Sequence, residues 1–225
     1  MNTSLTNYLN SRKSENNMLK ILGRDNSINV RKVLWLCEEL DLEYEREDWG
    51  RGVLSTQSPE FLQLNPNGQI PVVLDGDLVL WQSNSIIRYL ANAYDKEHLL
   101  YPTQAKERFF VDQWLDWQAI ELNNSWTYTI MSLLRHSPDH QDPNLLQQGI
   151  DKWNRHMQML DQQLAKTQAY VAGTEFTLAD IPIGLSVQRW KATPFDHPTL
   201  SHVDQYFELL NQRAGFLKWG NNGEP

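Results

Sequence analysis

Two short motifs bring together backbone and hydroxyl groups that suit the binding of a small acidic peptide. Proline lacks an N–H group, so Ile70-Pro71 is expected at the start or edge of a strand, and proline readily forms a cis peptide bond. A cis bond would turn the backbone of Ile70 outward, free to pair with a peptide-like ligand. Gln82 and Ser83 open an apolar helix, and the free N–H groups of a helix N-terminus bind anions. A strand edge beside such a helix end predicts a site for a peptide that carries a carboxylate.

Ser27 and Asn29 are a further pair of polar residues, at the junction between the first predicted strand and the first predicted helix. Serine is a common N-cap because its hydroxyl accepts a hydrogen bond from a free helix N–H. The hydroxyl of Ser27 and the side-chain amide of Asn29 can instead donate a hydrogen bond to a ligand. The residues alone favour the capping role for Ser27.

The composition excludes several classes of function. The 225-residue chain has a net charge of −8 and a pI of about 5.2, which argues against a general binder of nucleic-acid phosphates. Its single cysteine, Cys37, excludes an internal disulfide and a multi-cysteine metal site. No apolar run reaches the roughly 18 residues of a membrane helix, and the first residues lack the apolar segment of a signal peptide. We therefore expect a cytoplasmic protein that binds no nucleic acid, membrane or metal.

The first half of the chain alternates between predicted strands and predicted helices. Helices are indicated by apolar residues that recur three and four positions apart, and a hairpin is indicated by Asp75-Gly76-Asp77 between two apolar runs. The predicted elements are strands at 19–22, 43–47, 72–74 and 78–80, and helices at 30–42, 59–64 and 83–94. Their order is βαβ, then α, then ββα.

After a linker at residues 95–103, only helices are predicted. One long helical pattern spans 104–134 with a break near Asn123, and further helices cover 145–166 and 200–213, where Gly215 is the stop signal. Thr177 and Asp180 match a capping box, which gives Asp180 a structural role.

On these motifs the chain resembles the soluble glutathione transferases of the bacterial theta-like, serine type. The resemblance covers nearly all of residues 19–219, and the order of the motifs is specific to that family. It implies an α/β thioredoxin-like N-terminal domain followed by an all-α C-terminal helical domain. The expected segments are an N-terminal extension at 1–18, a glutathione-binding domain at 19–95 and an all-helical domain at 104–219.

The resemblance also implies a role for each motif in binding glutathione. The backbone of Ile70 and Pro71 would pair with the cysteinyl part, and Gln82 and Ser83 would bind the γ-glutamyl end. Ser83 would donate a hydrogen bond to the carboxylate there.

Gln69 stands where relatives often have Lys or Gln in contact with the glycyl carboxylate. Because Gln69 carries no charge, this end of glutathione is held weakly unless another residue supplies a cation. Lys32 and Arg51 are the candidates, although Arg51 belongs to a variable loop in which surface residues are commoner than ligands.

In serine-type members the hydroxyl at the position of Ser27 donates a hydrogen bond to the glutathione sulfur and stabilises the nucleophilic thiolate. Lowering a thiol pKa of about 8.5 by two units requires about 2.7 kcal/mol, which a charge-assisted hydrogen bond and a helix dipole can supply. Residues 9–43 contain no tyrosine and residues 18–36 contain no cysteine, so the tyrosine- and cysteine-type sites are disfavoured. Asn29 remains the rival donor.

The resemblance therefore implies a transferase that conjugates the glutathione thiolate to small hydrophobic electrophiles. Glutathione would be its co-substrate, and no cofactor is expected. Relatives dimerise across the long helix, so we expect a homodimer with Phe109, Phe110 and Trp114 at its interface. Two alternatives stay open: a glutathione-dependent isomerase or disulfide reductase, and a non-catalytic glutathione-binding or protein-interaction module. The sequence names no electrophile, because the walls of such pockets vary freely.

Overall fold

The computed structural model describes residues 18–223 and 225, so the predicted N-terminal extension lies outside the described residues apart from its last position. The described chain divides into two compact units between Tyr94 and Asp95. The predicted limits of the two domains, 19–95 and 104–219, remain predictions. Within the described part of the chain, no helix has the length and apolar character needed to cross a membrane.

The first unit is a four-stranded sheet with three helices, in the predicted order along the chain. The strands lie in the order β2-β1-β3-β4, with β1 and β2 parallel and the other two pairs antiparallel. Because parallel strands run the same way, the carboxyl ends of β1 and β2 meet at one edge, where Leu22 lies opposite Glu47. The elements are β1 (Leu19–Leu22), α1 (Ile28–Glu39), β2 (Tyr44–Glu47), α2 (Pro59–Leu64), β3 (Val72–Asp75), β4 (Leu78–Trp81) and α3 (Ser83–Tyr94).

A buried apolar cluster holds the segment after β2 against the end of β1. The rings of Trp49 and Phe61 lie 4.9 Å apart, and Leu22, Leu64 and Val72 pack into the same cluster. Full burial of a side chain of this size contributes about 1.5–3 kcal/mol. The cluster therefore fixes the backbone just beyond the carboxyl ends of β1 and β2.

The hairpin between β3 and β4 is tied to α3. Its turn contains Gly76 at a φ of 57°, a left-handed conformation that suits glycine. The carboxylate of Asp75 accepts hydrogen bonds from the hydroxyls of Tyr89 and Tyr94, each at 2.8 Å. These two bonds fix where α3 lies relative to the edge of the sheet.

The second unit contains only helices and turns in its described residues. The predicted helix at 104–134 is interrupted, since a π-helical turn at Gln118–Leu122 follows its first part. The helices are α4 (Ala105–Trp117), α5 (Asn123–Ser125), α6 (Thr127–Leu133), α7 (Pro143–Thr167), α8 (Asp180–Ala192), α9 (Ser201–Leu210) and α10 (Ala214–Trp219).

The expectation that Gly215 marks the end of a helix is wrong. The predicted helix ends at Leu210, and Gly215 lies inside the short helix α10. The chain turns because the N–H of Arg213 donates to the carbonyl of Leu210 at 2.9 Å. It then starts a new helix that buries Phe216 completely.

Asp180 has the predicted capping role at the start of α8. Its carboxylate accepts hydrogen bonds from the N–H of Thr177 at 2.8 Å, the N–H of Val171 at 2.9 Å and the hydroxyl of Tyr206 at 2.9 Å. Complete burial raises the pKa of Asp180 to about 6, and these hydrogen bonds act in the opposite direction. The residue is a structural element of the second unit.

Candidate functional site

A small polar pocket in the first unit gathers every predicted site residue except Ser27. None of the residues that line it carries a charge, so hydrogen bonds and the dipole of a helix are its means of recognition. They are Asn29, Asn65, Gln69, Ile70, Pro71, Gln82 and Ser83.

The wall formed by Ile70 and Pro71 is shaped by a residue that sequence reasoning missed. The Ile70-Pro71 peptide bond is cis, the form whose consequence was considered from the sequence. The side chain of Asn65 is buried and donates a hydrogen bond to the carbonyl of Gln69 at 2.7 Å, while its oxygen accepts from the N–H of Asn67 at 3.1 Å. Asn65 thus organises the turn that leads into the pocket wall. The sequence did contain a signal for this role of Asn65, because an asparagine side chain in a turn commonly forms a hydrogen bond with the backbone two residues further on.

A second wall is the N-terminus of α3. Gln82 has a φ of 70°, which is uncommon for a residue other than glycine and recurs at functional sites. Its carbonyl accepts a hydrogen bond from the N–H of Ile86 at 2.9 Å, so Gln82 caps the helix with its backbone. Ser83 follows as the first residue of the helix, and its side chain is buried. This arrangement presents the N–H groups of the first turn to the pocket.

Asn29 connects the start of α1 to this wall. Its side-chain oxygen accepts a hydrogen bond from the hydroxyl of Ser83 at 3.2 Å. Its amide nitrogen has no hydrogen-bond partner among the described residues. The two N–H groups of that amide are therefore available to a bound molecule.

Ser27 precedes α1, as the sequence predicts, but its side chain makes no capping hydrogen bond. Its carbonyl accepts from the N–H of Arg31 at 2.9 Å, so the backbone alone begins the helix. The hydroxyl of Ser27 is half-buried and has no partner in the part of the chain that the structure describes. The capping role that the residues favoured is absent, and Ser27 does not line the pocket.

Two other residues considered from the sequence lie away from this pocket. Lys32 is buried and donates a hydrogen bond to the side-chain oxygen of Asn84 at 3.0 Å, so it supports the first turn of α3. Cys37 is buried in α1, and burial raises the pKa of its thiol to about 12. Across residues 18–223, His, Cys, Asp and Glu form no group of three that could hold a metal ion.

Comparison with known proteins gives consistent matches over nearly the whole chain. Residues 18–92 match the family model of the glutathione S-transferase N-terminal domain. The glutathione S-transferase GstB of Escherichia coli K12 is 37% identical over 203 residues, covering 89% of this chain and 97% of the relative. Glutathione S-transferase 3 of Zea mays is 30% identical over 210 residues, covering 89% and 92% respectively.

A similar solved structure is the theta-class glutathione S-transferase of Xanthomonas axonopodis pv. citri with glutathione bound. It is 32% identical with a TM-score of 0.84, and the match covers 91% of this chain and 98% of that one. These matches confirm the predicted fold class, a thioredoxin-like N-terminal sheet domain followed by a helical region. The chain belongs to the glutathione S-transferase family.

Proposed function

We propose that this glutathione transferase holds glutathione in the pocket of its first unit and transfers the thiolate to a small electrophile. One observation carries the assignment: the pocket joins the backbone of Ile70, the N-terminus of α3 and the free amide of Asn29. Together these groups offer a strand edge for a peptide and a positive helix end for a carboxylate.

Each part of glutathione has a counterpart in this arrangement. The cysteinyl backbone pairs with Ile70, beside Pro71. The γ-glutamyl carboxylate is received by Gln82, Ser83 and the N–H groups that begin the 12-residue helix α3. Gln69 lies on the wall that would face the glycyl end.

The sulfur is assigned to the start of α1, where two donors compete. The hydroxyl of Ser27 has no partner among the described residues, and Asn29 is one of the residues that line the pocket. A donor at either position stabilises the thiolate over the thiol and lowers the pKa of bound glutathione. Lowering the pKa of the bound thiol by two units requires about 2.7 kcal/mol. One charge-assisted hydrogen bond and a helix dipole supply this free energy.

The assembly and setting of the enzyme are also part of the proposal. Phe109 and Ile120, in and just after α4, are 59% and 60% exposed in the single chain, and Phe110 adds to this apolar surface. An isologous contact between two copies would bury it. The homodimer would act in the cytoplasm, where a reducing environment maintains glutathione as a thiol, and would remove toxic electrophiles.

Calorimetric titration with glutathione, followed by a panel of electrophiles with product analysis, tests this function. We expect glutathione to bind and its conjugates to accumulate. Absence of binding would contradict the proposal. Products that regenerate free glutathione would favour the isomerase, and oxidised glutathione would favour the disulfide reductase. Binding without any turnover would favour the non-catalytic module.

A further inference from the structure

Two hydrogen bonds connect neighbouring positions at the starts of helices α1 and α3. Asn29 and Lys32 are three positions apart in α1, so they lie on the same face of that helix. The first bond runs from the hydroxyl of Ser83 to the side-chain oxygen of Asn29 at 3.2 Å. The second runs from the ammonium of Lys32 to the side-chain oxygen of Asn84 at 3.0 Å. The Lys32 ammonium is thereby held against the residue that follows Ser83 in the first turn of α3.

This lysine is enclosed by the protein. Its residue is 3% exposed, and it does not line the glutathione pocket, whereas the neighbouring Ser83 does. An ammonium group that has lost its water interacts more strongly with other charges than a surface ammonium does, and salt screens it less. Burying such a group is costly, and a nearby anion offsets part of that cost.

The wall next to Lys32 is the one that would receive the γ-glutamyl carboxylate. The residues that line the pocket carry no charge, and the N-terminus of α3 contributes the equivalent of about half a positive charge. Lys32 brings a full positive charge to the same helix end. A carboxylate bound to the N–H groups of that turn would be attracted by both. Gln69, on the wall assigned to the glycyl end, is not a partner of the Lys32–Asn84 bond.

We propose that Lys32, held by Asn84 at the start of α3, supplies the positive charge that the lining of the glutathione pocket lacks and strengthens the binding of the γ-glutamyl carboxylate. This inference rests on the proposed function. Lys32 is a positioning residue that acts through α3 and does not touch glutathione. Of the two cations considered from the sequence for the glycyl end, it is thus assigned to the opposite end of the peptide.

A change of charge in the ligand separates this electrostatic role from a merely structural one. The test compares glutathione with an analogue whose γ-glutamyl carboxylate is replaced by a carboxamide, both titrated by calorimetry. Two unit charges about 10 Å apart in a protein change an equilibrium constant on the order of tenfold. Lys32→Met should therefore raise the dissociation constant of glutathione about tenfold and leave that of the carboxamide nearly unchanged. In the enzyme assay, KM for glutathione should rise while kcat at saturating glutathione changes little.

Three further variants complete the design. Lys32→Gln keeps an N–H donor toward Asn84 without the charge, and it serves in place of Lys32→Met if that variant does not fold. Lys32→Arg retains the charge and should retain the preference for glutathione over the carboxamide. Lys20→Met is the matched control, because it removes a lysine of the same unit whose ammonium is paired with Glu47 at 3.0 Å.

The glycyl ethyl ester of glutathione identifies which carboxylate is involved. The ester keeps the γ-glutamyl carboxylate, so Lys32→Met should weaken its binding as much as that of glutathione. A variant that binds the ester as well as the wild type does, but binds glutathione and the carboxamide more weakly, would assign Lys32 to the glycyl end and overturn the proposal.

Equal weakening of all three ligands would reduce Lys32 to a structural role, and dissociation constants that match those of Lys20→Met would remove it from the site. Either result overturns this inference and leaves the proposed function standing. Wild-type protein that binds no glutathione would be a different failure. It would overturn the proposed function, and this inference with it.

Discussion

The hydroxyl of Ser83 donates a hydrogen bond to the side-chain oxygen of Asn29 across 3.2 Å, although the two residues are 54 positions apart. The bond joins the first turns of α3 and α1, where the proposed carboxylate and sulfur sites lie. It orients the amide of Asn29 so that its free N–H groups are available to a ligand. Ser83 therefore has two functions in the proposed site, binding the carboxylate end and positioning Asn29.

Ser83→Ala should weaken glutathione binding more than it slows the chemical step. Losing one hydrogen bond to a charged group raises the free energy of the complex by about 1.5–3 kcal/mol, which is a tenfold or larger increase in the dissociation constant. Calorimetry measures this change directly. Ser85→Ala, an exposed serine in the same turn of the helix, is the control. A dissociation constant equal to that of the control would remove Ser83 from the site.

Ser27→Ala and Asn29→Ala together identify the donor to the sulfur. Loss of the true donor raises the apparent pKa of bound glutathione toward its free value of about 8.5. Activity near pH 7 should fall and should recover as the pH rises, while glutathione affinity changes little. The ultraviolet absorbance of the thiolate, titrated in the complex, reports the pKa. If neither substitution moves this titration, the thiolate is not stabilised by either side chain.

The proposed homodimer should have a mass of twice 26.3 kDa in solution. Multi-angle light scattering at micromolar concentration measures it. Phe109→Asp places a charge in the exposed apolar surface of α4 and should shift the population toward single chains. Wild-type protein that scatters as a single chain would contradict the proposed assembly.

Asp180→Asn should change how stability depends on pH. Burial raises the pKa of this carboxyl to about 6 in the folded protein, above 3.8 for an ordinary aspartate. The folded state therefore takes up a proton more readily than the unfolded state. The resulting stabilisation is fully present below about pH 4 and is lost as the pH rises through about 6.

The asparagine side chain of the variant has no carboxyl group to titrate. Its NH₂ group would also face the N–H and O–H groups that donate hydrogen bonds to the Asp180 carboxylate in the wild type. It should be less stable than the wild type, with a larger difference at pH 4.5 than at pH 7.5. Urea unfolding at the two pH values measures the difference, with Asp139→Asn as the exposed control. A difference that does not vary with pH would show that Asp180 does not titrate in this range.

Cys37 should be nearly unreactive in the native protein. Its thiol is buried, and a pKa raised to about 12 leaves very little thiolate at neutral pH. A thiol reagent should label one site per chain only after denaturant is added. Rapid labelling of the native protein would contradict the burial.

Local patterns were enough to predict most of the first unit. Residues 19–22, 59–64 and 83–94 form the predicted elements with the predicted limits, because their apolar spacing, Pro59 and the Gln82-Ser83 step act within a few residues. The Ile70-Pro71 step was also recognised from its own residues as one that readily becomes cis, which is the form it has. The same sequence, with the family resemblance, favoured Ser27 as the sulfur donor and left Asn29 as its rival.

Other features depend on residues that are distant in the sequence. The hydrogen bond between Ser83 and Asn29 requires α1 and α3 to begin side by side, which the packing of the sheet decides. The side chain of Arg24 requires the space that Gly50 leaves beside Ile70. The turn before Gly215 likewise follows from which side chains can be buried together. Periodicity reports what a segment prefers alone, whereas burial and charge pairing depend on the partners that tertiary structure supplies.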